Sequence, residues 1–176
     1  MVNRTVNYSP NFNMNRKDPA MKNPPPGWPR ISSSLFYREP AKAIDWLCRA
    51  FGFTVRLKVE GEGGRIEHSE LEFGEGLIMV GGAGEEYTRP EKAWRARTAS
   101  PAMVGERNTQ TLCLYVDDVD AHCARAKAAG ATLFYEPKNT DYGGDYWEDR
   151  SYGAIDLEGH MWWFMQRIRS PKGDEE

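Results

Sequence analysis

The sequence has few cysteines, no long apolar run, no excess of positive charge and none of the common nucleotide or hydrolase fingerprints. Each absence narrows what the chain can be. Cys48, Cys113 and Cys123 are odd in number, widely spaced and contain no Cys-x-x-Cys pair. That excludes a disulfide scaffold and fits small buried thiols in a reducing compartment. No apolar stretch reaches the roughly 20 residues of a membrane-spanning helix, and Met1 to Ser9 lack the apolar core of a secretory signal. The expectation is a cytoplasmic protein with no membrane partner. A formal charge of −3 and a pI near 5.7 argue against nucleic acid, whose phosphates call for a basic surface. There is no Gly-x-Ser-x-Gly, P-loop or dinucleotide motif. The glycine run Gly81-Gly82-Ala83-Gly84 has no helix pattern after it and is a poor phosphate cradle.

What the sequence does contain is a faint internal repeat. Ser33 to Glu39 is a strand-like step ending in an acid, and Thr111 to Asp117 repeats it 78 residues later. Thirteen residues after each acid stands a glycine, Gly52 and Gly130, which closes a helix-like stretch and leads into another strand-like run. With 176 residues, two such units fit one domain with a shared core. The expected order is βαβββ twice, an α+β fold.

The arm 1–29 is rich in Pro and Asn and extended through Pro24-Pro25-Pro26, with Trp28 as an anchor. Module one spans 30–80. Glu39-Pro40 starts its helix, whose apolar face is Ile44, Leu47, Cys48 and Phe51. Strands follow over Phe53–Val59, Arg65–Phe73 and Leu77–Val80. Residues 81–109 form an aperiodic connection carrying Arg89, Arg95, Arg97 and Arg107, placed to cover a cavity mouth or to stay solvated. Module two, 110–168, has strand Leu112–Val116, helix Val119–Ala129 capped by Asp117-Asp118, and strand Ala131–Glu136. A loop with Tyr142, Tyr146 and Trp147 precedes a terminal hairpin, Tyr152–Asp156 and His160–Gln166. Residues 169–176 are a polar tail.

Alternation along strands assigns faces. Leu112, Leu114 and Val116 suit the helix side, which turns Thr111, Cys113 and Tyr115 outward. By the repeat, Ser33, Leu35 and Tyr37 share that outward face. His68, Glu70 and Glu72 oppose Leu71 and Phe73, and Trp163 opposes Trp162. The expected cavity wall is therefore aromatic with a few polar groups, as a small-molecule pocket requires. His160 reads as a structural hydrogen-bonding residue, and His122 as an exposed helix residue without a role.

On these residues the chain resembles the vicinal-oxygen-chelate superfamily of glyoxalases, bleomycin-resistance proteins and extradiol dioxygenases. The likeness covers about residues 30–168. It is carried by Ala43-Ile44-Asp45-Trp46-Leu47-Cys48-Arg49-Ala50-Phe51-Gly52-Phe53, His68-Ser69-Glu70-Leu71-Glu72-Phe73-Gly74, Tyr115-Val116-Asp117-Asp118-Val119-Asp120-Ala121-His122, Ala129-Gly130-Ala131 and Asp156-Leu157-Glu158-Gly159-His160-Met161-Trp162. The resemblance implies a U-shaped, eight-stranded mixed sheet around a central cavity, commonly in a homodimer. Metal enzymes of the superfamily draw ligands from four strand positions, which map here to Ser33, Glu70, Thr111 and Trp163. Only Glu70 is a metal-donor type. No metal and no cofactor are therefore expected.

The leading expectation is a protein that binds an organic ligand through Ser33, Tyr37, Thr111, Tyr115, Trp147 and Trp163, with Glu70 and Glu72 drawing cationic groups. A lyase or isomerase with Glu70 and His68 as catalytic acid and base, with or without a metal, is the alternative. A third possibility is a dimeric interaction or regulatory module using the arm and the 81–109 connection.

Overall fold

The computed structural model describes residues 22–171, so most of the arm and the end of the tail lie outside the described residues. The element order is β1 (Ser33–Tyr37), α1 (Pro40–Phe51), β2 (Thr54–Glu60), β3 (Ile66–Phe73), β4 (Gly76–Gly82), β5 (Leu112–Tyr115), α2 (Val119–Ala128), β6 (Thr132–Asp141), β7 (Glu148–Ile155) and β8 (Met161–Arg169). It is βαβββ twice, an α+β fold. The strands form two mixed four-stranded sheets, ordered β1-β4-β3-β2 and β5-β8-β7-β6, rather than one continuous sheet. In each, the first strand pairs parallel with the fourth, and the other neighbours are antiparallel.

Pro40 opens α1 with its fixed φ, and Gly52 ends the helix at φ 84°, a left-handed value that favours glycine. Ala43, Ile44, Leu47, Ala50 and Phe51 form its buried stripe. α2 is capped as expected: the Asp118 carboxylate accepts from the Ala121 N–H at 2.9 Å. The modules share one core. Phe51 packs on Trp162 and Phe164, with centroids 5.3 and 4.8 Å away, and Trp46 Nε1 donates to the Ala129 carbonyl at 2.8 Å. The α1 entry has no side-chain cap of its own. Instead Glu158 of module two reaches across to accept from the Arg38 and Glu39 N–H groups at 2.8 and 2.9 Å.

Three features differ from the sequence reading. β6 and β7 run further, to Asp141 and from Glu148, which shrinks the aromatic loop to a tight 142–147 connection. Their outer halves are polar on both faces, so no apolar alternation marks them, yet pairs such as Asn139 with Arg150 continue the ladder. Residues 83–104 carry three short 3-10 turns, Glu85–Tyr87, Pro90–Arg97 and Pro101–Met103. The third difference is the facing of β1. Leu35 and Tyr37 lie in the core, and Ser34 and Phe36 take the open face. The 78-residue spacing holds for the closing glycines. The first helical residues, Pro40 and Val119, are 79 apart, as are Leu35 and Leu114. A one-residue slip turns every side chain of a strand over.

Candidate functional site

Each sheet packs one face on the shared core and leaves the other open. On the first sheet, register places Ser34 beside Met79, Met79 beside Glu70, and Glu70 beside Leu57. His68, the buried Glu70 and Glu72 lie along β3 on this face. His68 Nε2 lies 2.9 Å from Glu70 Oε1, and Arg56 stands 3.6 Å from Glu70 and 3.4 Å from Glu72. Arg56 in turn lies over the Trp28 ring at 5.6 Å and donates to the Gly27 carbonyl at 2.8 Å, so the end of the arm packs on its own chain. Both carboxylates thus already have a cation.

Part of this face is covered by the connecting segment. Arg95 is buried and donates to the Gly82 carbonyl at 2.8 Å, with Phe36, Tyr87 and Trp94 around its guanidinium. Glu67 clamps the segment by accepting from Lys92 at 2.8 Å, from Arg89, and from Arg65 at 2.9 Å. Those hydrogen bonds, Lys92's first, hold its carboxyl down at about 2. The arginines of this segment therefore divide. Arg89 and Arg95 are structural, whereas Arg97 and Arg107 are exposed.

The open face of the second sheet is aromatic. Trp163 meets Phe134 edge-on at 5.1 Å and Tyr135 at 5.2 Å. Gly153, its ladder partner, has no side chain, and Phe134 lies over the gap. Cys113 is the other neighbour of Trp163, and Tyr115 pairs with Met165 further along. At that end Arg167 sits 5.5 Å from both the Tyr115 and Trp147 rings, held by Asp149 at 2.6 Å.

The residues singled out from sequence therefore separate into groups. Glu70, His68 and Glu72 share the first open face, and Trp163, Tyr115 and Trp147 the second. Ser33 and Tyr115 border a cleft of about 470 Å³ between the modules, where Ser33 Oγ accepts from Gln110 at 3.2 Å. Thr111 is exposed just before β5. Tyr37 belongs to the core: fully buried, it donates to Asp156 Oδ2 at 2.6 Å, and burial, then Asp156, pushes its phenol well above the ordinary value. His122 is corrected too. It lies 7% exposed on the stripe Val119, His122, Cys123 and Ala126, between Tyr152 Oη at 2.6 Å and the Phe51 carbonyl at 3.0 Å. Burial lowers its pKa to about 4. His160 Nε2 lies 3.1 Å from the Phe36 carbonyl, a structural bond. Sequence reasoning missed Phe36, Met79, Phe134 and Tyr135. The helix-start spacing signals the first; an irregular register in β6 hides the last two.

Among the described residues no three His, Cys, Asp or Glu side chains gather in a group able to hold a metal ion. The register row Ser34, Met79, Glu70 and its counterpart Cys113, Trp163 offer a poor donor set for a divalent ion, which wants several imidazole, carboxylate or thiolate ligands.

Comparison with known proteins agrees with the doubled βαβββ architecture. The model of the Glyoxalase/Bleomycin resistance protein/Dioxygenase superfamily matches residues 30–164. An uncharacterised protein of Mycobacterium bovis is 30% identical over 148 residues, covering 84% of this chain and 89% of that one. Among solved structures, TioX from Micromonospora sp. ML1 is 33% identical with a TM-score of 0.58, over 78% of this chain and 98% of TioX. TnmS3 from Streptomyces sp. CB03234, described as an antibiotic binding protein, is 22% identical with a TM-score of 0.52, over 77% and 93% of the two chains.

Proposed function

The chain belongs to the glyoxalase, bleomycin resistance protein and dioxygenase superfamily, and from that premise we propose that it binds a small aromatic organic molecule without a catalytic metal. The observation that carries this is the Trp163 shelf. Three rings and two sulfur side chains stand together on an open sheet face whose tryptophan has no core-packing task. Such a surface gains from stacking and from removal of apolar area from water. TnmS3, on the same fold, is an antibiotic binding protein, which supports a ligand of that size class by analogy of fold alone. Glu70 and Glu72 keep a part in this reading as polar wall, with their attraction for cations reduced by Arg56.

We propose further that the protein is a cytoplasmic homodimer. The support for a dimer is β2, an edge strand exposed along its length, with Val55, Leu57 and Val59 at 40, 42 and 42%. Edges of that kind are ordinarily covered or charged.

The test is tryptophan fluorescence titration with a library of planar aromatic compounds in metal-free buffer, on the native protein and on Trp163→Leu. Saturable quenching that the substitution weakens supports the reading. No quenching across the library would sink it. One observation favours a second reading: the 2.9 Å contact of His68 with Glu70 is a geometry fit for proton transfer in a lyase or isomerase. If Glu70→Gln leaves an activity found in this protein untouched, that alternative fails.

A further inference from the structure

Phe36 of β1 is flanked by two clefts beneath the connecting segment. One, of about 380 Å³, lies toward His68, Lys92 and Trp94. The other, of about 560 Å³, lies toward Arg97, Arg107, Asn108 and His160, and both include Ser34. Their charge differs. At the first, Lys92 is committed to Glu67, as are Arg65 and Arg89. At the second, Arg97 and Arg107 have no carboxylate partner among the described residues.

These two arginines stand ten positions apart in sequence, and the fold brings both to the wall of one cleft. Their backbone is fixed. Arg97 follows the buried Arg95 by two residues, and Thr98 Oγ1 donates to the Arg95 carbonyl at 2.8 Å. Arg107 precedes Asn108, whose amide donates to the Gly159 carbonyl at 2.8 Å and accepts from the Met161 N–H at 3.3 Å. Two like charges held at one cleft without a counter-charge repel each other, and a bound anion relieves that repulsion. Each guanidinium also presents a planar fork of donors matched to carboxylate or phosphate oxygens.

We propose that the cleft between β1 and residues 97–110 receives an anionic group, a carboxylate, phosphate or sulfate, carried by the ligand whose aromatic body lies against Phe36 and the open faces. This rests on the binding function proposed above and makes that ligand an aromatic anion rather than a cation. Ser34 and Phe36 line both clefts, whereas Glu67 lines only the one toward Lys92 and Trp94.

The experiment is a calorimetric titration with four naphthalene probes of one ring system: 2-naphthoate, 2-naphthyl phosphate, 2-naphthalenemethanol and 2-naphthylmethylammonium. It compares the native protein, the double variant Arg97→Gln/Arg107→Gln, and a control, Lys42→Gln/Lys127→Gln, which removes the same charge from the outer helix faces. All four side chains are exposed, so both variants keep the fold. The expected result is that an anionic probe binds at least about tenfold more tightly than the alcohol. The arginine variant loses that preference and keeps its affinity for the alcohol, and the control loses neither. The order of naphthoate and naphthyl phosphate identifies the oxyanion. If the alcohol or the ammonium binds as tightly as the anions, or the preference survives in the arginine variant, the anion site is overturned and the aromatic reading stands. If no probe binds at about 1 mM, a concentration at which even weak sites fill, both are overturned.

Discussion

Tyr37 of the first module donates its phenolic proton to Asp156 of the second, 2.6 Å away in the buried interior. The same carboxylate accepts from Trp162 Nε1 at 3.1 Å and from the Glu158 and His160 N–H groups at 3.0 Å each. A buried carboxylate with four donors is satisfied, and removing one leaves part of its charge unpaired. Tyr37→Phe is expected to lower unfolding free energy by about 1–3 kcal/mol in a urea melt, with ligand affinity unchanged. Loss of binding without loss of stability would return Tyr37 to the ligand site.

Glu158 acts on the other side of the same turn. Its carboxylate accepts from two N–H groups at the α1 entry and from Ser100 Oγ at 2.6 Å. It joins a helix start, a connecting segment and a hairpin from three parts of the chain. Negative charge at a helix N-terminus is favourable, and a donor there that loses its acceptor costs free energy. Glu158→Ala should cost about 2–3 kcal/mol, and more than Glu158→Gln, which keeps an acceptor. Equal losses would show that charge, and not hydrogen bonding, is what matters.

How much of this was legible in the sequence depends on whether a residue's partner is local. The α1 stripe, Gly52 and the Asp118 cap follow from spacing within one turn, and all were readable. The exchange of Glu158 and Asp156 between modules joins residues more than a hundred positions apart, which no periodicity reports. The β1 face was lost to a single residue, because the strand steps were matched at the 78-residue offset of the closing glycines, whereas the two helices start 79 residues apart. Arg95 is a different case. A charge in an aperiodic stretch reads as solvated, and only the folded chain shows three rings and two carbonyls around it.

His122 gives the protein an acid sensitivity with a defined window. Its pKa is about 4 folded against an ordinary 6.5, so the unfolded chain binds the extra proton first as pH falls. Stability is therefore intact above pH 6.5 and declines toward pH 4, by at most about 1.4 kcal/mol per pH unit for one group. Thermal midpoints measured from pH 7 to 4 should fall, and His122→Gln should flatten the fall while starting from a lower midpoint. An unchanged slope would assign the acid sensitivity to other groups.

Glu67 predicts a second transition at lower pH. With the folded carboxyl held at about 2 against an ordinary 4.5, its contribution is present above 4.5 and disappears as pH falls through that interval. The clamp is partly solvated, so its effect is on the connecting segment rather than on global stability. Trp94, 53% exposed and 6.1 Å from Phe36, reports it. Glu67→Gln at neutral pH should speed proteolysis after Lys92 or Arg97 and leave the global melting curve superimposable on the native one.

Gly153 tests the aromatic shelf without touching a ring. A Cβ added there would stand 2.4 Å from two ring atoms of Phe134, closer than packed atoms allow. Gly153→Ala must therefore push Phe134 off the strand, and Phe134 is the edge-on partner of Trp163. Gly144, exposed in the β6–β7 connection with nothing near its Cβ position, provides the matched control. Overpacking of this kind costs about 1–3 kcal/mol. The expected outcome for Gly153→Ala is a folded protein with an altered near-ultraviolet circular dichroism spectrum and weakened binding of aromatic probes. Gly144→Ala should match the native protein in both. If Gly153→Ala binds aromatic probes as the native protein does, the Trp163 face is not where they lie. The cleft beside Phe36 would then have to hold the ring as well as the charge.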